Sequence, residues 1–267
     1  MNDDASALPS PRIGVFDSGV GGLSVLRALH RHLPRATLLY AADSGHAPYG
    51  ERDPAFVLAR SRALAAHLLE QGAQLLVVAC NTATAAAIDT LRVEHPQWPI
   101  VGVEPGLKPA IALTRNRRIG VMATQATLAS ERFRRLVATH ADGVSLHLQA
   151  CSGLARAIES GAPDGDDVAS LVARHAAPLK AAGVDTVVLG CTHYPFAAAR
   201  IAMELGPGVM LVDTADAVAR QAMRLSMGLP AGDSQDRTRL WTSGDPEHLR
   251  TVATRWLDFD TEVAALP

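Results

Sequence analysis

Two apolar runs on this chain each end in a cysteine: QLLVVACNTATAAA around Cys80 and DTVVLGCTHYPFAAA around Cys191. Consecutive Val and Leu without polar alternation must be buried on both faces, which is the environment of a parallel strand covered by helices. The alanine-rich segment after each cysteine suits such a helix. Both thiols therefore fall at strand C-termini, the edge of an open α/β sheet where ligands bind. Two such thiols on two similar units suit a pair of reactive groups facing one substrate. The chemistry that uses such a pair is proton removal from one face of a carbon and proton delivery to the other.

The repetition extends beyond the cysteines. Arg12-Ile13-Gly14-Val15 recurs as Arg118-Ile119-Gly120-Val121, and Cys80 and Cys191 follow at a similar separation. The first RIGV run leads into Asp17-Ser18-Gly19 and the second into Thr124-Gln125-Ala126-Thr127, so polar side chains occupy corresponding strand exits. RIGV alone is a common opening for an α/β strand; two matched features in the same order argue for duplicated units.

A chain of 267 residues accommodates two domains. Strands are expected at 12–16, 37–41, 75–79, 100–103, 119–123, 145–149, 186–190, 209–212 and 238–242. Helices are expected between them, for instance at 54–71, 82–95, 166–182 and 246–257, which is the βαβ rhythm of a mostly parallel sheet. Gly72, Gly183 and Pro207-Gly208 punctuate helix-to-strand turns. Val103-Glu104-Pro105-Gly106 is the expected crossing between units. A net charge of −2 leaves no basic footprint for nucleic acid. No apolar run approaches a membrane span, and the acidic, polar N-terminus MNDDASALPSPR lacks a signal-peptide pattern. Three dispersed cysteines suit a reducing cytoplasm.

Several other chemistries fit poorly. Gly19-Val20-Gly21-Gly22 after a strand, with Asp43 after the next, imitates a dinucleotide site, but Ser24 stands where the third glycine belongs. There is no Gly-Lys-Ser/Thr phosphate loop. Cys80, Cys191 and His193 lack the close pairing of zinc ligands. Ser18 is no hydrolase nucleophile, because Phe16 replaces the glycine of a nucleophile elbow. A two-lobed amino-acid-binding protein has no need of two thiols.

FDSGVGGLSVL, ADSGHAPYGER, VVACNTATAAAI, VGVEPGLKPA, GVMATQATLAS and VLGCTHYPF together closely resemble the glutamate racemases, cofactor-independent isomerases that supply D-glutamate for bacterial cell-wall (peptidoglycan) synthesis. The resemblance covers about residues 12 to 220. It implies an α/β fold of two pseudo-symmetric domains, each with a mostly parallel central sheet, with the active site in the cleft between them. The chain's last segment would return to the first domain, giving residues 1–103 with 214–267 as one unit and 104–213 as the other. Cys80 and Cys191 would be the two acid–base groups, Cys80 acting on D-glutamate and Cys191 on L-glutamate. Asp17 and His193 would each assist the neighbouring thiol.

Substrate binding would fall to Asp17, Ser18, Tyr49, Gly50, Asn81, Thr82, Thr192 and His193, with Thr124 and Thr127 as further candidates; a threonine at such a place also serves as a helix N-cap. Glu159 resembles a family glutamate near the site, yet its surroundings, CSGLARAIESG, depart from the family's more apolar, proline-containing pattern. Arg156, three residues before it, offers an ordinary helical ion pair. Cys151 precedes Ser152-Gly153 with no counterpart in the other unit and reads as structural. No pyridoxal phosphate, metal or nucleotide is expected. The expected partner is the small-molecule substrate glutamate, with aspartate or another acidic amino acid as the nearest alternative. The sequence does not give the oligomeric state, and a homodimer is open to it.

Overall fold

The computed structural model describes residues 11–160, 165–230, 238–259 and 261–267. The acidic, polar run ahead of Pro11 lies outside the described residues. The first half runs β1 (Arg12–Asp17), α1 (Leu23–His32), β2 (Thr37–Ala42), α2 (Pro54–Glu70), β3 (Leu75–Val78), α3 (Asn81–Glu94) and β4 (Ile100–Gly102). After α4 (Leu107–Leu113) come β5 (Arg118–Ala123), α5 (Gln125–Ala129), α6 (Glu131–His140), β6 (Ser145–Ala150), α7 (Leu154–Ser160), α8 (Asp166–Ala181), β7 (Thr186–Gly190), α9 (Ala198–Leu205) and β8 (Met210–Val212). The chain closes with α10 (Ala215–Ser226), β9 (Thr238–Thr242), α11 (Pro246–Trp256) and β10 (Thr261–Ala265).

The strands form two wholly parallel sheets, one ordered β10-β9-β2-β1-β3-β4 and the other β6-β5-β7-β8. The two RIGV runs are β1 and β5, each inside its sheet, and the strand before each cysteine, β3 or β7, lies directly beside it. The core order 2-1-3-4 of one sheet is the order 6-5-7-8 of the other. Between β1 and β3, and again between β5 and β7, successive connections leave toward opposite sides of the sheet. This is the topological switch point that opens a crevice at the strand C-termini.

Burial follows the residue pattern. The strand residues Val15, Leu38, Leu75, Val77, Val121 and Val187 are all wholly inaccessible, as strands covered by helices on both faces must be. Local signals set the helix ends: Asp53 caps α2 by accepting from Phe56 N ahead of a first-turn Pro54, and Ser130 caps α6 by accepting from Phe133 N. Gly72 and Gly183 hold φ of 84° and 66° in the turns leading into β3 and β7, a conformation with little steric cost only for glycine. The expected crossing at 103–106 joins β4 of the six-stranded sheet to α4, which leads into β5 of the other. Strand β10 was not among the expected elements.

Candidate active site

The residues expected at the site gather where the two sheets' switch points meet. Cys80 follows β3 and is the N-cap of α3, its sulfur accepting from Ala83 N at 3.4 Å. The same thiol donates to Ser18 Oγ at 3.7 Å. Ser18 stands next to Asp17, the last residue of β1, and contacts its Oδ1 at 3.3 Å. Asp17 makes its other bonds to Gly19 N (2.9 Å) and, from the other unit, to the Thr192 hydroxyl (2.9 Å). The carboxylate thus acts on Cys80 through space and through Ser18 rather than by a hydrogen bond of its own to the thiol.

Cys191 follows β7, and its sulfur lies 3.7 Å from His193 Nδ1. The other imidazole nitrogen, Nε2, meets Glu159 Oε2 at 2.6 Å. That carboxylate also accepts from Val20 N at 2.8 Å through Oε2 and from the Ser44 hydroxyl at 2.6 Å through Oε1. The helical pair expected between Glu159 and Arg156 is therefore overturned: Arg156 reaches across to Glu51, and Glu159 turns inward. Arg156 points from α7 into solvent, where Glu51 is also exposed, whereas Glu159 is 8% exposed.

The glycines of the Gly19-Val20-Gly21-Gly22 turn make this possible by close approach. A Cβ on Gly19 would stand 2.2 Å from Glu159 Oε2, and one on Gly21 would stand 2.4 Å from His193 Nδ1. A turn that imitates a phosphate cradle in sequence is occupied here by the chain's own carboxylate and imidazole.

Hydroxyls and amides complete the surroundings. Thr82, Thr124 and Thr127 form a cluster, with Thr124 Oγ1 2.9 Å from Thr127 Oγ1 and 3.0 Å from Thr82 Oγ1. Thr124 is also the N-cap of α5, accepting from Thr127 N, so the capping expectation holds there. Gly50 packs so tightly that an added Cβ would lie 2.7 Å from Thr124 Cβ. Tyr49 is buried with its hydroxyl committed to Asp43 Oδ2 at 2.6 Å, which brings to the site's surroundings a residue the sequence reading named only in the rejected dinucleotide motif. Asp43 also takes a two-pronged contact from Arg60 (2.8 Å each) and a bond from Ser243 Oγ (2.7 Å). Asn81 Nδ2 is buried without a hydrogen-bond partner among the described residues. Cys151, buried and 3.5 Å from Gln149 O, borders Tyr194 rather than the two other thiols' partners.

The electrostatics are asymmetric. Burial, the charge of Asp17 and that of Cys191 push the Cys80 thiol up to about 12, against its hydrogen bonds with Ala83 and Ser18. Burial alone would lower His193, but its hydrogen bonds with Cys191 and Glu159 and the negative charge of both hold the imidazole well above its ordinary value. Burial would raise Glu159, and the same imidazole together with Ser44 and Val20 keeps it below the usual range. Burial raises Asp17 despite the proximity of His193. One sulfur thus faces a cation, and the other a hydroxyl, an amide and a carboxyl group.

Comparison with known proteins fits this geometry. A family model described as Asp/Glu/Hydantoin racemase matches residues 13–222. The glutamate racemase of Herpetosiphon aurantiacus is 51% identical over 246 residues, covering 90% of this chain and 95% of the relative. That of Pseudomonas entomophila is 46% identical over 254 residues, covering 94% and 96%. The crystal structure of Escherichia coli glutamate racemase in complex with L-glutamate and the activator UDP-MurNAc-ala superposes with a TM-score of 0.87 at 34% identity, covering 97% of this chain and 98% of that one. With its paired parallel sheets, its two thiols at matching strand ends and these relatives across nearly its whole length, the chain belongs to the Asp/Glu/Hydantoin racemase family and is an amino-acid racemase.

Proposed function

We propose that the chain interconverts L- and D-glutamate by a two-base reaction of Cys80 and Cys191, supplying D-glutamate for peptidoglycan synthesis in the cytoplasm. One observation carries the reading: each thiol sits at the C-terminal end of the strand beside a switch point, in sheets of the same strand order, with its own polar partners. A thiolate removes the α-proton of bound glutamate, the electron pair stays on the α-carbon as a carbanion, and the opposite thiol delivers its proton to the other face. The first sulfur ends protonated and the second ends as thiolate, so the reverse reaction starts from the complementary form.

On the Cys191 side, His193 Nδ1 lies 3.7 Å from the sulfur and its imidazole is held well above its ordinary value, so it is placed to exchange a proton with that thiol. On the Cys80 side, a bound amino acid brings an ammonium into a field set by Asp17 and thus opposes the effect of burial. Asn81 Nδ2 and the threonine cluster are suited to donate to a substrate carboxylate. Asp17, Ser18, Thr192 and the Tyr49-Gly50 turn would complete the binding surface. Glutamate is preferred to aspartate because the relatives carry that substrate in their names and one was crystallised with L-glutamate. The two sheets support a division into 1–103 with 214–267 and 104–213, since β9 and β10 pair with the sheet of β1 and β2. Among the described residues no helix is long and apolar enough to cross a membrane.

Cys80→Ser and Cys191→Ser provide the test. Each should suppress racemisation severely, because a serine hydroxyl is too weak an acid or base at neutral pH to replace a thiol. Proton NMR in heavy water should show residual α-proton exchange on L-glutamate for Cys80→Ser and on D-glutamate for Cys191→Ser. Near-normal racemisation by either variant refutes the two-base reading; the opposite enantiomer preference refutes only the assignment of faces.

A further inference from the structure

The segment that follows the second sheet reaches the site from behind. The turn after β9 lies against the turn after β2: Ser243 N donates to Ala42 O at 3.0 Å, and Gly45 N donates to Ser243 Oγ at 3.1 Å. Two glycines let these turns touch. A Cβ on Gly45 would stand 2.6 Å from Ser243 O, and one on Gly244 would stand 3.0 Å from Ser44 Cβ. Ser44, pressed into place by that contact, is the residue whose hydroxyl holds Glu159 Oε1.

The same segment holds the other end of Glu159. His248, in the first turn of α11, lies with Nε2 2.7 Å from the Glu159 carbonyl oxygen. A carbonyl only accepts, so this nitrogen carries the hydrogen. The last carbonyls of a helix have no partner within the helix, and Glu159 is the penultimate residue of α7. His248 therefore supplies from another element the bond that fixes where α7 presents the Glu159 side chain.

From these contacts we infer that His248, with Ser243 behind Ser44, is a positioning residue for the Cys191 half of the reaction: it touches neither thiol, and acts by holding Glu159 against His193. The inference rests on the two-thiol reading above. Its reach is through the Glu159–His193 contact at 2.6 Å and the His193–Cys191 contact at 3.7 Å. Misplacing a reacting group by about 1 Å can cost about a hundredfold in rate, so losing one of several restraints on Glu159 should cost about tenfold.

The test uses the full-length enzyme with L- and D-glutamate. His248→Leu keeps bulk and removes the donor; its kcat should fall about tenfold with KM within about twofold, and the limb of the pH–rate profile that belongs to His193 should move to lower pH. His248→Gln places an amide nitrogen where Nε2 was and should restore both kcat and the profile. Ser243→Ala should move both in the same direction by less. In a Glu159→Ala background, where the contact with His193 is gone, His248→Leu should cause little further loss, because the two changes act through one contact. Unchanged kcat and profile in His248→Leu overturn the inference, and so does a loss that His248→Gln fails to restore or that adds fully to that of Glu159→Ala. Cys191→Ser, measured alongside, keeps the two readings apart: if it still racemises, the two-thiol mechanism fails whatever His248 does.

Discussion

Replacing Glu159 by Gln isolates the charge in the buried Glu159–His193 pair. The amide has the carboxylate's shape, and its oxygen at the Oε2 position still accepts from Val20 N and His193 Nε2 while its NH2 group donates to the Ser44 hydroxyl. Only the charge is lost. A hydrogen bond to a charged group contributes about 1.5–3 kcal/mol, against about 0.5–1.5 for a neutral one. At about 1.36 kcal/mol per pH unit, the imidazole should become easier to deprotonate by roughly one unit. Titrating isotope-labelled imidazole by NMR reads this directly, and the corresponding limb of the kcat/KM profile should move down with it.

Stability supplies an independent measure. His193 is held above its unfolded value, so its contribution is complete below about pH 6.5 and is lost as pH rises through the folded value. Glu159 is held below its unfolded value, so its contribution is present above about pH 4.3 and is lost as pH falls through the folded value. The difference in stability between wild type and Glu159→Gln should be largest between these two pH values and narrow on the alkaline side. An imidazole whose titration is unmoved by the substitution would refute the assignment of Glu159 as the partner that keeps His193 charged.

Two further outcomes follow from the contacts. Arg60→Ala leaves the inaccessible Asp43 carboxylate without its two-pronged partner and should cost about 3–5 kcal/mol, measured by urea unfolding. Burial works to raise Asp43 while Arg60, Tyr49 and Ser243 together lower it, so its stabilisation is lost as pH falls through the depressed value; the variant should acid-unfold at a higher pH than wild type. Glutamate should protect Cys80 and Cys191 from alkylation and leave the rate at Cys151 unchanged, as read by mass spectrometry; protection confined to Cys151 would contradict the site.

Much of the scaffold is legible in the sequence because its strands are uninterrupted apolar runs bounded by Gly and Pro. The expected strands at 186–190 and 238–242 match β7 and β9, and most of the others agree within a residue or so at each end. Strand β10, TEVAA, is short, lies at a sheet edge and exposes much of its surface, so it lacks the apolar signature. The neighbourhood of each thiol is legible for the same local reason: Ser18 and His193 are chain neighbours of strand ends.

Glu159 is the opposite case. Its partners Val20, Ser44 and His193 lie 139, 115 and 34 residues away, while the one local candidate, Arg156, is drawn off to Glu51. Asp17 likewise finds Thr192 from 175 residues away. Such pairings depend on how two sheets face one another, and no window of sequence contains that information.

The matching strand orders carry a consequence for energetics. Enantiomers have equal free energies in water, so the equilibrium constant is unity, and kcat/KM must be the same whichever hand of substrate is supplied. In the proposed two-base reaction, a duplicated scaffold with a thiol from each half meets that constraint by offering each hand its own base. The imidazole–carboxylate pair beside Cys191, with no counterpart beside Cys80 among the described residues, breaks the twofold likeness, and thermodynamics leaves only one place for that imbalance to appear. It must be divided between kcat and KM, so that the hand with the lower KM is also the one turned over more slowly.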